Sequence, residues 1–524
     1  MTGAEMVMEA LQDAGARRMF GVPGGGSSLD LMTAAHALDI PFHLARTEAG
    51  AAMMAAATAE LTGAPCPVLV TRGPGVSAVA NGIAHASLER APVVLLADGF
   101  SPRERAFACH QYFDHAALLR PVTKAQLSAS GVHAALHVAL TPPWGPVLVE
   151  VTGEMARAAT ASAPPFIRTP PRMPDGVPAA QALLAAARRP VIVAGLEAVP
   201  CAGAVRSLAA RLRCPVLVTY KAKGVLPDAD PLFGGVYTGG AAEAPLMAQA
   251  DLIILAGADP VEFIGQTWRY VAPVLDVASV PRAPHYFVPT AALHGDVGLG
   301  LTALGGVASH WLPTEITAAR DAWREALANG PGGNRGMSPQ AVVELTQAAC
   351  RAAGRHPRVA VDAGAHMFPA TTFWQAEAPG DLLISNGLAS MGFALPGGIA
   401  AALHDPARGA VAFTGDGGLL MCMGELATAA TLGVRLVVVV FNDATLSLID
   451  IKKGERALPQ GALDWPMVDF AAVMRGCGGQ AWRVDDAAEF ATAIAEALAI
   501  NGPTLIDARV DPGSYPGQIT ALRG

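Results

Sequence analysis

Asp416 follows the apolar run AVAFTG and is itself followed by Gly417 and Gly418. Val411–Thr414 reads as a strand, Gly415 allows a sharp exit, and the stretch after Gly418 reads as a helix. A carboxylate at a strand end, beside two N–H donors at a helix start, can hold a cation and cradle an anion at once. That helix is expected to run to about Leu432 with Gly433 as its stop, and Arg435–Phe441 to return as the next strand, bringing Asn442 and Asp443 beside Asp416. Oxygen ligands and N–H donors around one point suit a magnesium ion holding a diphosphate. Either Asn442 or Asp443 could supply the second ligand. Gly-Asp-Gly alone is an ordinary turn; its βαβ spacing to the Asn-Asp pair gives it weight.

Other residues with chemical potential lie at the ends of similar apolar runs. Glu48 closes PFHLARTE and opens the apolar helix AGAAMMAAATAELTG, where Ala and Met would leave its carboxyl poorly solvated. By itself it reads better as a solvated acid at a helix N-terminus. Gly24, Gly25 and Gly26 in GVPGGG permit close backbone approach but lack the spacing of a dinucleotide fingerprint. Arg72 in TRGPG suits an anionic ligand or a neighbouring acid. Met391 in LASMGFALP and His366 after RVAVDAG read, without further context, as core residues.

The elements that must position these residues are short Val/Ile/Leu runs alternating with Ala-rich helical stretches: PVLVTRGPG and APVVLLADG, then RPVIVAG, CPVLVTY and ADLIILAGAD, then RVAVDAG, DLLISNG, GAVAFTGDGG and VRLVVVVFND. Near-continuous apolar runs of this kind mark parallel sheets covered on both faces, so the fold class is α/β with three doubly wound sheets. At about 150 residues per domain, 524 residues predict two to four domains. The proline cluster APPFIRTPPRMPDGVP, which should admit neither helix nor central strand, and the Gly/Pro-rich NGPGGNRGMSP read as linkers. Domains over 1–162, 179–328 and 340–524 are expected.

The chain is 52% hydrophobic and 15% charged, which excludes disorder and leaves a membrane protein or one with much two-sided burial. The uncharged run Leu382–Leu403 is broken by Asn386, Ser390, Gly392, Pro396, Gly397 and Gly398, so no spanning helix is expected. A net charge of −8 with no basic block argues against nucleic acid. The N-terminal MTGAEMVMEALQDAG does not resemble an export signal, and seven scattered cysteines suit a reducing compartment, so a cytoplasmic location is expected.

With these motifs together, the chain resembles the thiamine-diphosphate-dependent 2-oxoacid decarboxylases, acetolactate synthases and benzaldehyde-lyase-like carboligases. GDGG at 415–418 and ND at 442–443 are similar to the family's cofactor motif. GVPGGGSSLDL, TRGPG, APVVLLADG, HQYFDH, YKAKGVLPDADP and GLASMGFALPGGIAAAL extend the resemblance over nearly the whole chain. It implies pyrimidine-binding, central and diphosphate-binding domains, thiamine diphosphate and Mg2+ as cofactors, and a small-molecule substrate. It further implies Glu48 at the aminopyrimidine ring nitrogen, with Gln111 and Gly25 facing the reacting group. Gly364, Ala365, His366, Ala389, Met391, Gly415, Asp416, Gly417, Gly418 and Asp443 would bind cofactor, and Asp416, Asp443 and Thr445 the metal. Met391 would be the wedge that bends the cofactor, and the Ala389 carbonyl the acceptor of its amino proton. A homodimer at least, and a homotetramer by analogy, would bring one chain's pyrimidine-binding domain to the other's diphosphate-binding domain.

Three positions depart from the synthases, the first being Asp443, which stands where they carry an Asn and so keeps an oxygen ligand while adding charge. Their arginine for a 2-oxoacid carboxylate is replaced in DPVEF at 259–263, and their tryptophan after the metal loop corresponds to Lys452. The resemblance therefore implies a decarboxylase or carboligase without choosing the substrate, with a 2-hydroxyacyl-CoA or acyloin lyase as the alternative. No fingerprint for FAD or ADP stands in the central block. Outside the family, a magnesium-dependent phosphotransferase or a non-catalytic nucleotide-binding protein would use Asp416 without needing Glu48 or Met391.

Overall fold

The computed structural model describes residues 1–162, 164–263, 265, 267–282, 287–328 and 336–523. The apolar runs form three six-stranded sheets in which every neighbouring pair of strands is parallel. The first holds β1 (Met19–Val22), β2 (Phe42–Leu44), β3 (Cys66–Val70), β4 (Val93–Asp98), β5 (Gln126–Ser128) and β6 (Val147–Val151), in the order β2-β1-β3-β4-β6-β5. The second holds β7 (Pro190–Ala194), β8 (Val216–Val218), β9 (Phe233–Val236), β10 (Leu252–Ala256), β11 (Val274–Ala278) and β12 (Ala291–His294), ordered β12-β11-β10-β7-β8-β9. The third holds β13 (Arg358–Val361), β14 (Leu382–Ile384), β15 (Ala410–Gly415), β16 (Leu436–Asn442), β17 (Gln480–Val484) and β18 (Thr504–Arg509), ordered β14-β13-β15-β16-β18-β17. The first and third sheets thus repeat one strand order, a kinship that the amino-acid runs do not display.

β4, β7 and β10 are buried at every residue, which is why they contain no polar alternation. The first and third units also share one apolar core. Helix Glu48–Thr62 packs against helix Pro74–Leu88 and against helix Ala394–His404 of the third unit. Small side chains permit the close approach: Ala51, Ala52, Ala55, Ala56 and Ala59 are wholly buried. A Cβ at Gly82 would lie 2.5 Å from the Ala52 Cβ and 2.7 Å from the Ala49 carbonyl oxygen. Gly82→Val is expected to cost about 1–3 kcal/mol of stability through overpacking, read as a lower urea midpoint. This junction within one chain accounts for part of the charge-poor composition.

Pro178 corrects the expectation for the first linker. Residues 164–176 are irregular, but Val177–Ala186 is a helix with proline in its first turn, where the missing N–H is not needed. Most of the second linker, residues 329–335, lies outside the described residues; Pro339 opens helix Pro339–Ala352 for the same reason. The run Leu382–Leu403 divides into β14, a loop and helix Ala394–His404. Among the described residues no helix is long and apolar enough to cross a membrane.

Candidate active site

In parallel sheets ligands gather beyond the carboxyl ends of strands, and the singled-out residues lie at two such edges. At the edge of the third sheet, Gly415 ends β15 and Asp416 opens helix Asp416–Cys422. Asp416 is 3% exposed; its Oδ1 accepts from the Gly417 N–H at 2.8 Å and its Oδ2 from the Ala444 N–H at 2.6 Å. Ala444 has φ +58°, a left-handed conformation that costs a non-glycine residue about 1–2 kcal/mol. Burial and the neighbouring charge of Asp443 push the Asp416 carboxyl up to about 7. Burial likewise pushes Asp443 up to about 6, although Ser447 Oγ donates to its Oδ2 and the Thr445 N–H to its Oδ1. Such a pair favours a cation.

Asn442 Nδ2 donates to Asp507 Oδ1 at 2.8 Å and to the Val468 carbonyl at 3.2 Å, while its Oδ1 is buried without a partner among the described residues, so Asn442 and Asp443 both keep a side-chain oxygen uncommitted or only weakly committed here. No group of three or more His, Cys, Asp and Glu side chains suited to a metal occurs among the described residues. A cation here would therefore complete its shell with backbone and phosphate oxygens, which suits magnesium. The single helix expected from the Gly417–Gly418 pair to about Leu432 is instead broken at Met423–Gly424 and restarts as Glu425–Leu432, stopped by left-handed Gly433.

Space around this turn is tight, most of all at Gly418. A Cβ at Gly418 would lie 2.3 Å from Asp362 Oδ2, and one at Gly417 would meet Leu446, Trp465 and the Met391 Cε at 3.1, 3.2 and 3.3 Å. Met391 thus rests on the Gly417 turn. Ala389, two residues earlier, is exposed with φ +52°. Gly364, Ala365 and His366 follow β13; His366 is 5% exposed and stacks on Phe441 with centroids 5.3 Å apart. Burial pulls its imidazole down to about 3, so it is neutral, and its Nε2 has no partner. A Cβ at Gly364 would fall 2.7 Å from its ring. An orphaned nitrogen, a carboxylate pair and a glycine-lined helix start fit a magnesium-bound diphosphate.

The carboxyl edge of the first sheet carries the second group. Glu48 is the first residue of helix Glu48–Thr62, capped by Thr47, whose side chain accepts from the Gly50 N–H at 3.0 Å. Its carboxyl is half-buried rather than enclosed, with Oε1 3.6 Å from the place a Gly75 Cβ would take. Gly25 is exposed with nothing within 4 Å of its Cβ direction, whereas Cβ atoms at Gly24 and Gly26 would meet Thr71 Oγ1 and Asp98 Oδ2, each at 2.3 Å. Gln111 is exposed with φ +60°, its carbonyl oxygen 2.6 Å from the Gly73 Cβ position. Arg72 pairs with Glu104 at 3.2 Å and lies over Phe100, the neighbour-capping arrangement.

Three contributors were not singled out from the sequence. Asp362, fully buried, accepts from Thr414 Oγ1 at 2.6 Å and from the Ala394 N–H at 2.8 Å, fixing the chain just after Met391. Trp465 is folded back over the Asp443–Thr445 turn by its backbone N–H, which donates to the Ala444 carbonyl at 3.2 Å. Glu425, also fully buried, accepts from the Arg46 and Thr47 N–H groups at 3.1 and 2.9 Å, and so ties the Glu48 turn to the third unit. Asp362 follows a strand, a usable signal; the other two act across the fold. Glu425→Ala is expected to cost about 1–3 kcal/mol for each N–H left unsatisfied, read as a lower thermal midpoint.

One sheet edge thus presents a buried aspartate pair beside a glycine-lined helix start and the other a glutamate, a glycine loop and a glutamine, an arrangement that suits an enzyme with a diphosphate cofactor. Comparison with protein families identifies the cofactor. Residues 1–118 match the N-terminal TPP binding domain of thiamine pyrophosphate enzymes, 177–304 their central domain and 362–508 their C-terminal TPP binding domain. The chain is 29% identical to an acetolactate synthase of Bacillus subtilis over 97% of its length and 93% of the relative. It is 28% identical to a catabolic acetolactate synthase of Raoultella terrigena, covering 98% of this chain and 96% of that one. With a probable 2-ketoarginine decarboxylase of Pseudomonas aeruginosa it shares 29% identity over 97% and 94% of the two chains. The chain belongs to the thiamine pyrophosphate enzymes, and it is a thiamine-diphosphate-dependent carboligase or decarboxylase.

Proposed function

We propose that this enzyme acts on a 2-oxoacid, releasing CO2 and passing the remaining carbonyl unit to a proton or to an uncharged acceptor. When bound, thiamine diphosphate supplies a carbon that stores the electron pair of a breaking bond beside a carbonyl. Asp416, Asp443 and Thr445 would hold Mg2+ against the diphosphate. Gly415, Gly417, Gly418, Gly364, Ala365 and His366 line that end. Met391 and the Ala389 carbonyl would orient the aminopyrimidine, and the Glu48 carboxyl would hold a proton for its ring nitrogen. Gly25 and Gln111 face the substrate oxygen. The domain limits we assign are 1–162, 179–328 and 340–524.

The uncharged acceptor rests on one observation. At DPVEF, where the synthases place an arginine for a 2-oxoacid carboxylate, Asp259 is 1% exposed and paired with Arg90 at 2.8 Å. A buried acid in place of that arginine would not attract a second 2-oxoacid. Magnesium is supported by the donor set, and a second copy of the chain by exposed Leu44, Met421 and Met423 flanking the two groups of site residues. Free cysteines, of which Cys66, Cys214, Cys350 and Cys422 are buried, support a reducing, cytoplasmic setting.

The reading is tested by denaturing the purified protein and assaying the supernatant for thiamine diphosphate, then screening pyruvate, benzoylformate, acyloins and 2-hydroxyacyl-CoA compounds. Retained cofactor with aldehyde or acyloin formation from a 2-oxoacid is expected. Failure to bind the cofactor even with added Mg2+ would sink the reading, and acetolactate as main product would overturn the uncharged acceptor.

A further inference from the structure

The loop between β14 and helix Ala394–His404 carries Ala389 and Met391, and it is gripped from behind by charged groups that the proposed chemistry does not use. The Gly387 N–H donates to Glu89 Oε1 at 2.8 Å, and the Ser390 N–H to Ser385 Oγ at 3.0 Å, which in turn meets His85 Nδ1 at 3.1 Å. His85 and Glu89 lie on and just after helix Pro74–Leu88 of the first unit, at 0% and 1% exposure. The counter-charge comes from the middle unit: Lys221 Nζ stands 3.1 Å from Glu89 Oε2 and 2.7 Å from Glu60 Oε2, and it donates to the Ile384 carbonyl at 3.2 Å. Three units therefore meet at one buried ammonium.

Such a centre is a costly way to join domains, because burying these charges requires desolvating them. It is also geometrically specific. Lys221 holds both ends of what it grips, directly at Ile384 and through Glu89 at Gly387. Ala389 sits in a left-handed conformation that a slack loop would not keep. Lys223 makes a similar joint nearby, paired with Asp228 at 2.6 Å and donating to the Thr371 carbonyl at 2.8 Å, but it reaches helix Met367–Phe373 and not the loop.

We propose that Lys221, acting through Glu89, is a positioning residue that locks the Ala389–Met391 loop in its cofactor-binding shape, so that the middle unit contributes to catalysis without touching substrate. The proposal rests on the assignment of that loop to thiamine diphosphate. The test titrates thiamine diphosphate with saturating Mg2+ into the cofactor-free full-length protein, following tryptophan fluorescence, and measures kcat and KM on the best substrate from the screen. Lys221→Met is expected to raise the cofactor Kd at least tenfold and lower kcat at least tenfold, with substrate KM within twofold. Glu60→Gln/Lys221→Met removes one carboxylate left without its partner; it should recover thermal midpoint while Kd and kcat stay impaired. Should Lys221→Met fail to fold, the near-isosteric Glu89→Gln is expected to raise Kd at least threefold. Kd unchanged within twofold in the folded variants, or recovery of Kd and kcat together with the midpoint in the double variant, would overturn the proposal. Wild-type protein that binds no thiamine diphosphate would instead overturn the functional reading.

Discussion

Replacing Glu48 by glutamine is expected to leave thiamine diphosphate binding within a few-fold of wild type and to lower kcat by about 10²–10⁴, the usual span for a lost proton-transfer group. The substitution is diagnostic because the backbone at this position is held by other groups. Thr47 caps the helix and Glu425 takes the Arg46 and Thr47 N–H groups, so an isosteric amide at 48 meets no new clash. What glutamine cannot do is hold and return a proton. A carboxyl acting only as a helix N-terminal charge would show the reverse pattern: unchanged turnover and a stability loss of about 0.3–1 kcal/mol. Steady-state rates at saturating cofactor, compared with the thermal midpoint, separate the two, and wild-type rates would refute the catalytic role.

The strands were legible because parallel sheets covered on both faces demand unbroken apolar runs, and DLLISNG or VRLVVVVFND has few alternatives. Legible too was the pairing of Asp416 with the residues after β16, since one βαβ unit fixes which strand ends are neighbours. Local reasoning reached less far where a residue's role is set by a partner remote in sequence. Glu425 looks like one more helical acid until Thr47 arrives, and Lys221 like a surface lysine until Glu60 and Glu89 surround it. Trp465 sits in a polar stretch, and only its fold-back onto Ala444 brings it to the Gly417 turn. Asn442 illustrates the opposite failure. Its amide nitrogen is committed to Asp507, a partner on β18 that no motif in the Asn-Asp pair announces. The repeated strand order of the first and third sheets was hidden because a fold constrains burial patterns, and these many sequences satisfy equally well.

Asp416→Ala should abolish magnesium-dependent retention of thiamine diphosphate, raising its Kd by about 10² or more, since even groups that merely support a metal ligand are worth about 10–100-fold in metal affinity. The loss has two parts. The cation loses a charged ligand, and the Ala444 N–H, whose residue is held at φ +58°, loses the acceptor that fixes it. Asp443→Asn should be milder, within about tenfold, because an amide oxygen still coordinates a hard cation and only charge is lost. The ordering is itself informative. Without a cation, burial and the charge of Asp443 hold the Asp416 carboxyl near 7, whereas a bound Mg2+ would stabilise both anions. Exhaustive dialysis against a chelator should accordingly strip the cofactor from wild-type protein, and Mg2+ should restore it to wild type and to Asp443→Asn but not to Asp416→Ala. If Mg2+ restores the cofactor to Asp416→Ala and not to Asp443→Asn, the metal is held from the β16 side and Asp416 serves only to fix the Ala444 turn.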